Sequence, residues 1–195
     1  MSTPETSDAR RVVVGASLVF GILLLGGGAL ILWARGLGLL SVFDRTHAAE
    51  RALLGAGIGA GVAVVCALAV ARLRFLGRLR RLAEHAVDGI EPRWHTVLVV
   101  SVAAGISEEF FFRGVLEPAV GRWFASLAFI AVHGALRLRE RGAPAFAVFL
   151  FGASMGLSAI NAWKGLEAAM AAHAAYDLVM FAWLARRTGA ATRTH

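Results

Sequence analysis

Much of what a soluble protein displays on its surface is scarce here. Charged residues make up 17% of the 195 positions, and lysine, tyrosine and cysteine each occur once. A soluble domain is about 25% charged and about 45–50% apolar. This chain is 58% hydrophobic with a mean hydropathy of +0.67, an apolar surplus too large for one soluble core. Soluble enzymes, disordered regulators and nucleic-acid modules are all disfavoured by that balance. The lone Cys66, set in an apolar run, excludes an internal disulfide and any cysteine-built metal cluster. Lys164 is the only lysine among many arginines, which reads as a composition bias. A net charge of +7 and a pI near 11.3 would suit a nucleic-acid partner in a polar chain. In an apolar chain, arginines instead flank membrane spans on the cytoplasmic side.

What the chain has in abundance is long apolar runs. About 20 apolar residues cross a bilayer as a helix, because every backbone polar group must be satisfied within the segment. Val12–Ala34 and Ala52–Ala71 meet that length directly, and Trp94–Val115, Ala119–Leu136, Ala143–Ile160 and Leu166–Ala185 follow as less pure candidates. The fourth is short enough to reach only part way. The expected fold is therefore an all-α polytopic membrane bundle of about six helices, one domain over residues 1–195. Arginines sort by side: with both termini and the loop after the second span on the cytoplasmic face, fourteen basic residues lie inside and five outside. The first run is too long for the apolar core of a signal peptide and reads as a retained anchor. Leu73–Val87 mixes basic and apolar residues and is expected to lie along the cytoplasmic surface. In the second span, Gly55/Gly59 and Gly57/Gly61 form small-xxx-small pairs, read as packing faces.

Ionisable residues inside these spans carry the functional signal. The third span contains Ser107-Glu108-Glu109-Phe110-Phe111-Phe112-Arg113, the fourth His133, and the sixth His173 and Asp177. A charged side chain at a helix centre costs roughly 2.5–3.5 kcal/mol on insertion scales. Four of them cost on the order of 10 kcal/mol, comparable with the net stability of a domain. Such groups must face one another or a wet cavity, and a cluster of them is a functional site by default. Glu109 and Arg113 are spaced for an in-helix ion pair. Glu108 points about 100° away and has no local cation. His173 and Asp177 share one helix face, and Phe129, four residues before His133, is placed to stack on its imidazole. A poorly solvated carboxylate near histidines is the setting of a general base.

These residues resemble the CPBP family, the CAAX-processing and bacteriocin-processing membrane proteases also called Abi proteins. The EExxxR motif is matched by Glu108-Glu109-Phe110-Phe111-Phe112-Arg113, FxxxH by Phe129 to His133, and HxxxN/D by His173 to Asp177. The motifs fall in family order over a core of Trp94 to Ala185. Departures are the short chain, with two helices before the core, and Asp177 where Asn is commoner. The resemblance implies a glutamate-dependent intramembrane endopeptidase without a cofactor, in a bacterial inner membrane, acting on a membrane-anchored or lipid-modified substrate. It casts Glu108 as the base that activates water and His173 as its partner. His133 and Asp177 would stabilise the oxyanion, with Glu109 and Arg113 as supports.

Three other readings stay open at this level. Glu108, His133 and His173 could supply a His₂Glu zinc site, although no HExxH is present. Gly152-Ala153-Ser154-Met155-Gly156 matches G-x-S-x-G, with His173 one helix away, as in a rhomboid-like serine protease. Because the pattern lies within a span, Gly152/Gly156 is read as a packing pair. A non-enzymatic immunity or scaffold protein is the third possibility.

Overall fold

The computed structural model describes residues 4–44, 46–72, 94–136 and 143–191. Six α-helices account for most of them: α1 (Pro4–Ala34), α2 (Ala48–Arg72), α3 (Trp94–Glu109), α4 (Glu117–Val132), α5 (Ala143–Lys164) and α6 (Leu166–Ala191). A π-helical segment, Phe110–Leu116, joins α3 to α4, and a short 3₁₀ turn at Leu39–Val42 follows α1. No strand occurs among the described residues. The amphipathic stretch at Leu73–Val87 and the loop bearing Arg137, Arg139 and Arg141 lie outside the described residues.

Among the described residues five stretches are long and apolar enough to cross a membrane, against about six expected. The expected third and fourth spans are one helical run of 39 residues, Trp94–Val132. The helix continues from Val115 to Ala119 through Pro118, which lies just after the π-helical segment. A straight helix of that length would be roughly 58 Å long, about twice the hydrocarbon core. Gly121 breaks it, with φ 82° and ψ 160°, a backbone region that only glycine enters readily. The arm after it, Arg122–Val132, has about 11 residues and rises about 16 Å, half a bilayer.

Contact register gives the helix directions. Gly21 meets Ser107, and Gly28 meets Phe110 and Val115, so α1 runs parallel to α3. Gly55 and Gly59 meet Ala168 and Ala172 in the same order, so α2 runs parallel to α6. Ser154 bonds Arg113 and Ser158 bonds Glu117, so α5 also follows α3. The second arm of the kinked run therefore turns the chain back between α3 and α5. This is the alternation of direction that six successive helices require.

Glycine decides how closely α2 and α6 approach. A Cβ on Gly55 or Gly59 would land on the backbone carbonyl of Ala168 or Ala172. Gly57 and Gly61, on the other face, have nothing within 4 Å of that position, so one small-xxx-small pair packs and the other faces outward. Gly152 and Gly156 likewise meet nothing, which corrects the reading of those two as a packing pair.

Candidate active site

Polar groups inside an apolar bundle must find partners, and the neighbours Glu108 and Glu109 find theirs on different sides of α3. Glu109 is completely buried. Its Oε1 accepts from Arg113 Nη1 at 3.1 Å and from His173 Nδ1 at 2.8 Å. Arg113 Nε lies 3.1 Å from Oε2, so the guanidinium straddles the carboxylate. The pair spans the transition from α-helix to π-helix, a winding often found where side chains are re-aimed at functional sites. On its far side Arg113 Nη2 donates to the backbone oxygen of Ser154 at 2.9 Å and to its Oγ at 2.8 Å. Ser154 Oγ in turn donates to Ser126 Oγ at 3.0 Å. Below the guanidinium, the Phe129 ring centroid is 5.0 Å from Cζ, a cation–π distance.

Glu108 turns the other way and lines a cavity of about 640 Å³. Its Oε2 has no hydrogen bond and lies 3.5 Å from His133 Nε2. Local backbone geometry delivers that histidine. Helix α4 ends at His133 because Gly134 adopts positive φ, and its closing bonds run from Gly134 N to Ala131 O and from Ala135 N to Ile130 O. That pairing satisfies the last carbonyls and leaves the ring at the tip of the helix. His133 Nδ1 lies 2.7 Å from the Phe129 carbonyl, which can only accept, so Nδ1 carries the hydrogen and Nε2 faces Glu108. The Phe129 ring stacks on the imidazole at 4.3 Å between centroids.

The second histidine is clamped between two acids. Nδ1 donates to Glu109, and Nε2 lies 3.5 Å from Asp177 Oδ2. His173, Asp177, His133 and Glu108 all line the same cavity, together with Ser107 and Tyr176. Every motif residue named from the sequence thus belongs to one constellation. Glu108, His133, His173 and Asp177 are at its open face, with Glu109, Arg113 and Phe129 behind them. Among the described residues no three His, Cys, Asp or Glu side chains are grouped so as to hold a metal ion. Glu108, His133 and His173, the zinc set considered above, are divided between two carboxylates. Ser154 is 1% exposed, and the described partners of its hydroxyl are Arg113 and Ser126, with no histidine among them. Sequence reasoning missed Ser126, Tyr176 and the supporting part of Ser154, because neutral hydroxyls in apolar helices carry no charge cost to flag them.

A family model described as type II CAAX prenyl endopeptidase Rce1-like matches residues 90–179. This segment is Rce1-like. It holds all seven residues of the constellation and agrees with the CAAX-protease resemblance of the three motifs. Comparison with curated proteins and with solved structures finds no match. The Rce1-like segment and the membrane-length helices together support an integral membrane protease.

Proposed function

We propose that this protein is a glutamate-type intramembrane endopeptidase with Glu108 as its base. The observation that carries the reading is Glu108 itself: a carboxylate at the wall of a largely apolar cavity, whose described ion-pair contact is a histidine and not an arginine. A structural carboxylate in an apolar bundle is tied down by charge, as Glu109 is by Arg113 and His173, although its Oε2 too makes no hydrogen bond. One left open, at a cost in solvation, has been kept for something that enters the cavity.

In the proposed reaction, Glu108 takes a proton from a water as the water oxygen attacks the scissile carbonyl carbon. Negative charge builds on the carbonyl oxygen, where His133, in its protonated form, donates to it. The C–N bond then breaks, and the proton held by Glu108 passes to the departing nitrogen. His173 helps to orient the water, its ring direction set by Glu109. The 3.5 Å contact of Asp177 with His173 Nε2 favours a role in orienting that ring. If Asp177 also assists at the oxyanion, it does so protonated.

The substrate proposed is a membrane-associated protein whose prenyl-type or other apolar anchor occupies the cavity while its peptide bond meets Glu108. The location proposed is a bacterial inner membrane, which the small size and arginine-rich composition suit, and the arginine distribution supports cytoplasmic termini. The test is terminal-peptide mapping of membranes from cells carrying the wild-type chain or Glu108→Gln. New termini that depend on the wild type and vanish with the variant, at equal membrane levels of both proteins, are the expected result. Persistence of those termini with Glu108→Gln contradicts it.

A further inference from the structure

Ser154 belongs to none of the three motifs, yet it supplies both acceptors of Arg113 Nη2. An arginine side chain has five N–H donors and no acceptor, so burial demands several acceptors around it. Here Nη1 donates to Glu109, and Nη2 gives one hydrogen to the Ser154 carbonyl and the other to the Ser154 hydroxyl. The hydroxyl hydrogen then runs to Ser126, and the Ser126 hydroxyl donates to Met155 Sδ at 3.5 Å. Donation flows one way from the cation to a soft acceptor, and each hydroxyl hydrogen in the chain has a partner. The other end of the chain matters more. Glu109 Oε1 is shared between Arg113 Nη1 and His173 Nδ1, so the position of the guanidinium sets the position of the atom that orients His173.

We propose that Ser154 is a positioning residue for His173, acting through Arg113 and Glu109, with Ser126 as the anchor beyond it. Without the hydroxyl, Arg113 Nη2 keeps only the carbonyl. One N–H is then unpaired in an apolar interior, and the guanidinium rotates to recover an acceptor. Oε1 moves with it, and the hydrogen bond that fixes His173 Nδ1–H lengthens. The consequence for catalysis rests on the function proposed above, whereas the geometric claim does not.

The experiment uses the full chain in lipid nanodiscs with ¹⁵N-labelled histidine, the two His173 signals being assigned by their loss in His173→Gln. In the wild type, Nδ1 carries the hydrogen and gives the shift of a strongly hydrogen-bonded imidazole. Ser154→Ala and Ser154→Cys are both expected to move the His173 Nδ1 signal away from that of a strongly hydrogen-bonded N–H. The signals of His133, held by the Phe129 carbonyl, should stay in place. Cysteine fills the volume of serine but accepts hydrogen bonds weakly, so a packing role would leave Ser154→Cys like the wild type. Ser154→Thr, which keeps the hydroxyl, should return the His173 Nδ1 signal towards its native shift, and Ser126→Ala should give a smaller displacement. If the cleavage above is found, its rate should fall on the order of tenfold in Ser154→Ala, as for a modest misplacement of a catalytic group. Unmoved His173 signals in both the alanine and cysteine variants overturn the proposal. Because the spectrum needs no substrate, that outcome stays distinct from a failure of the Glu108 mechanism.

Discussion

Glu109 has no exposed side-chain surface and is held between Arg113 and His173, whereas Glu108, one residue earlier, leaves 11% of its side chain open to a cavity. The 100° step between successive helix residues produces this division. One carboxylate enters the tight layer made by α3, α5 and α6, and its neighbour meets the space beneath the tip of α4. An identical side chain is therefore architecture in one position and, in the function proposed above, a reactive group in the next. A third acid, Asp44, stands in the exposed connection between α1 and α2 and completes the contrast. Hydrogen bonds from the Thr46 side chain and backbone, then Arg51, hold its pKa down from 3.8 to about 2.

Removing the buried acid should break the contrast most severely. Glu109→Ala strands Arg113 and the His173 N–H in an apolar interior, and breaking one partner of a buried ion pair costs about 3–5 kcal/mol. A fall of that size is expected in denaturation followed in detergent, with Glu108→Ala close to the wild type. Equal losses for the two would erase the distinction between them.

A smaller effect is expected where α6 is held against α2. Ala172 precedes His173, and a side chain at Gly59 would strike its carbonyl. Gly59→Val should therefore destabilise the fold by about 1–3 kcal/mol, the usual range for overpacking. It should also disturb the Glu109–His173 contact, while Gly57→Val, facing open space, should do neither. The same denaturation assay and the histidine spectrum read both.

The smallest effect belongs to Asp44. Its depressed pKa means that its contribution is full above the ordinary carboxylate pKa and is lost as pH falls towards about 2. Melting curves of the wild type and Asp44→Asn should differ slightly at pH 6 and converge as the pH approaches 2. A difference that grows on acidification would mean that the assigned contacts are wrong.

The ionisable half of the site was legible because charge inside an apolar helix is costly and each instance demands a reason. Glu108, Glu109, Arg113, His133, His173 and Asp177 stood out on that ground, and Phe129 followed from its spacing to His133. Ser126 and Ser154 did not. A hydroxyl is tolerated in a helix by bonding its own backbone, as Ser107 does to the Ala103 carbonyl at 2.7 Å. Only the register between the π-helical segment and α5 turns the Ser154 hydroxyl into a ligand for arginine. The count of spans among the described residues is five where about six were expected, for a related reason. Hydropathy reports whether a segment can lie in lipid, but Gly121 marks a break by its backbone torsions, which no hydropathy window records.

The central claim is that Glu108, and not its neighbour, performs the chemistry. Its most direct test measures cleavage and folding stability together in Glu108→Gln. The account predicts native stability and membrane insertion with cleavage reduced at least about 10²–10⁴-fold, the usual contribution of a general base. Wild-type cleavage by a stably folded Glu108→Gln protein would contradict it.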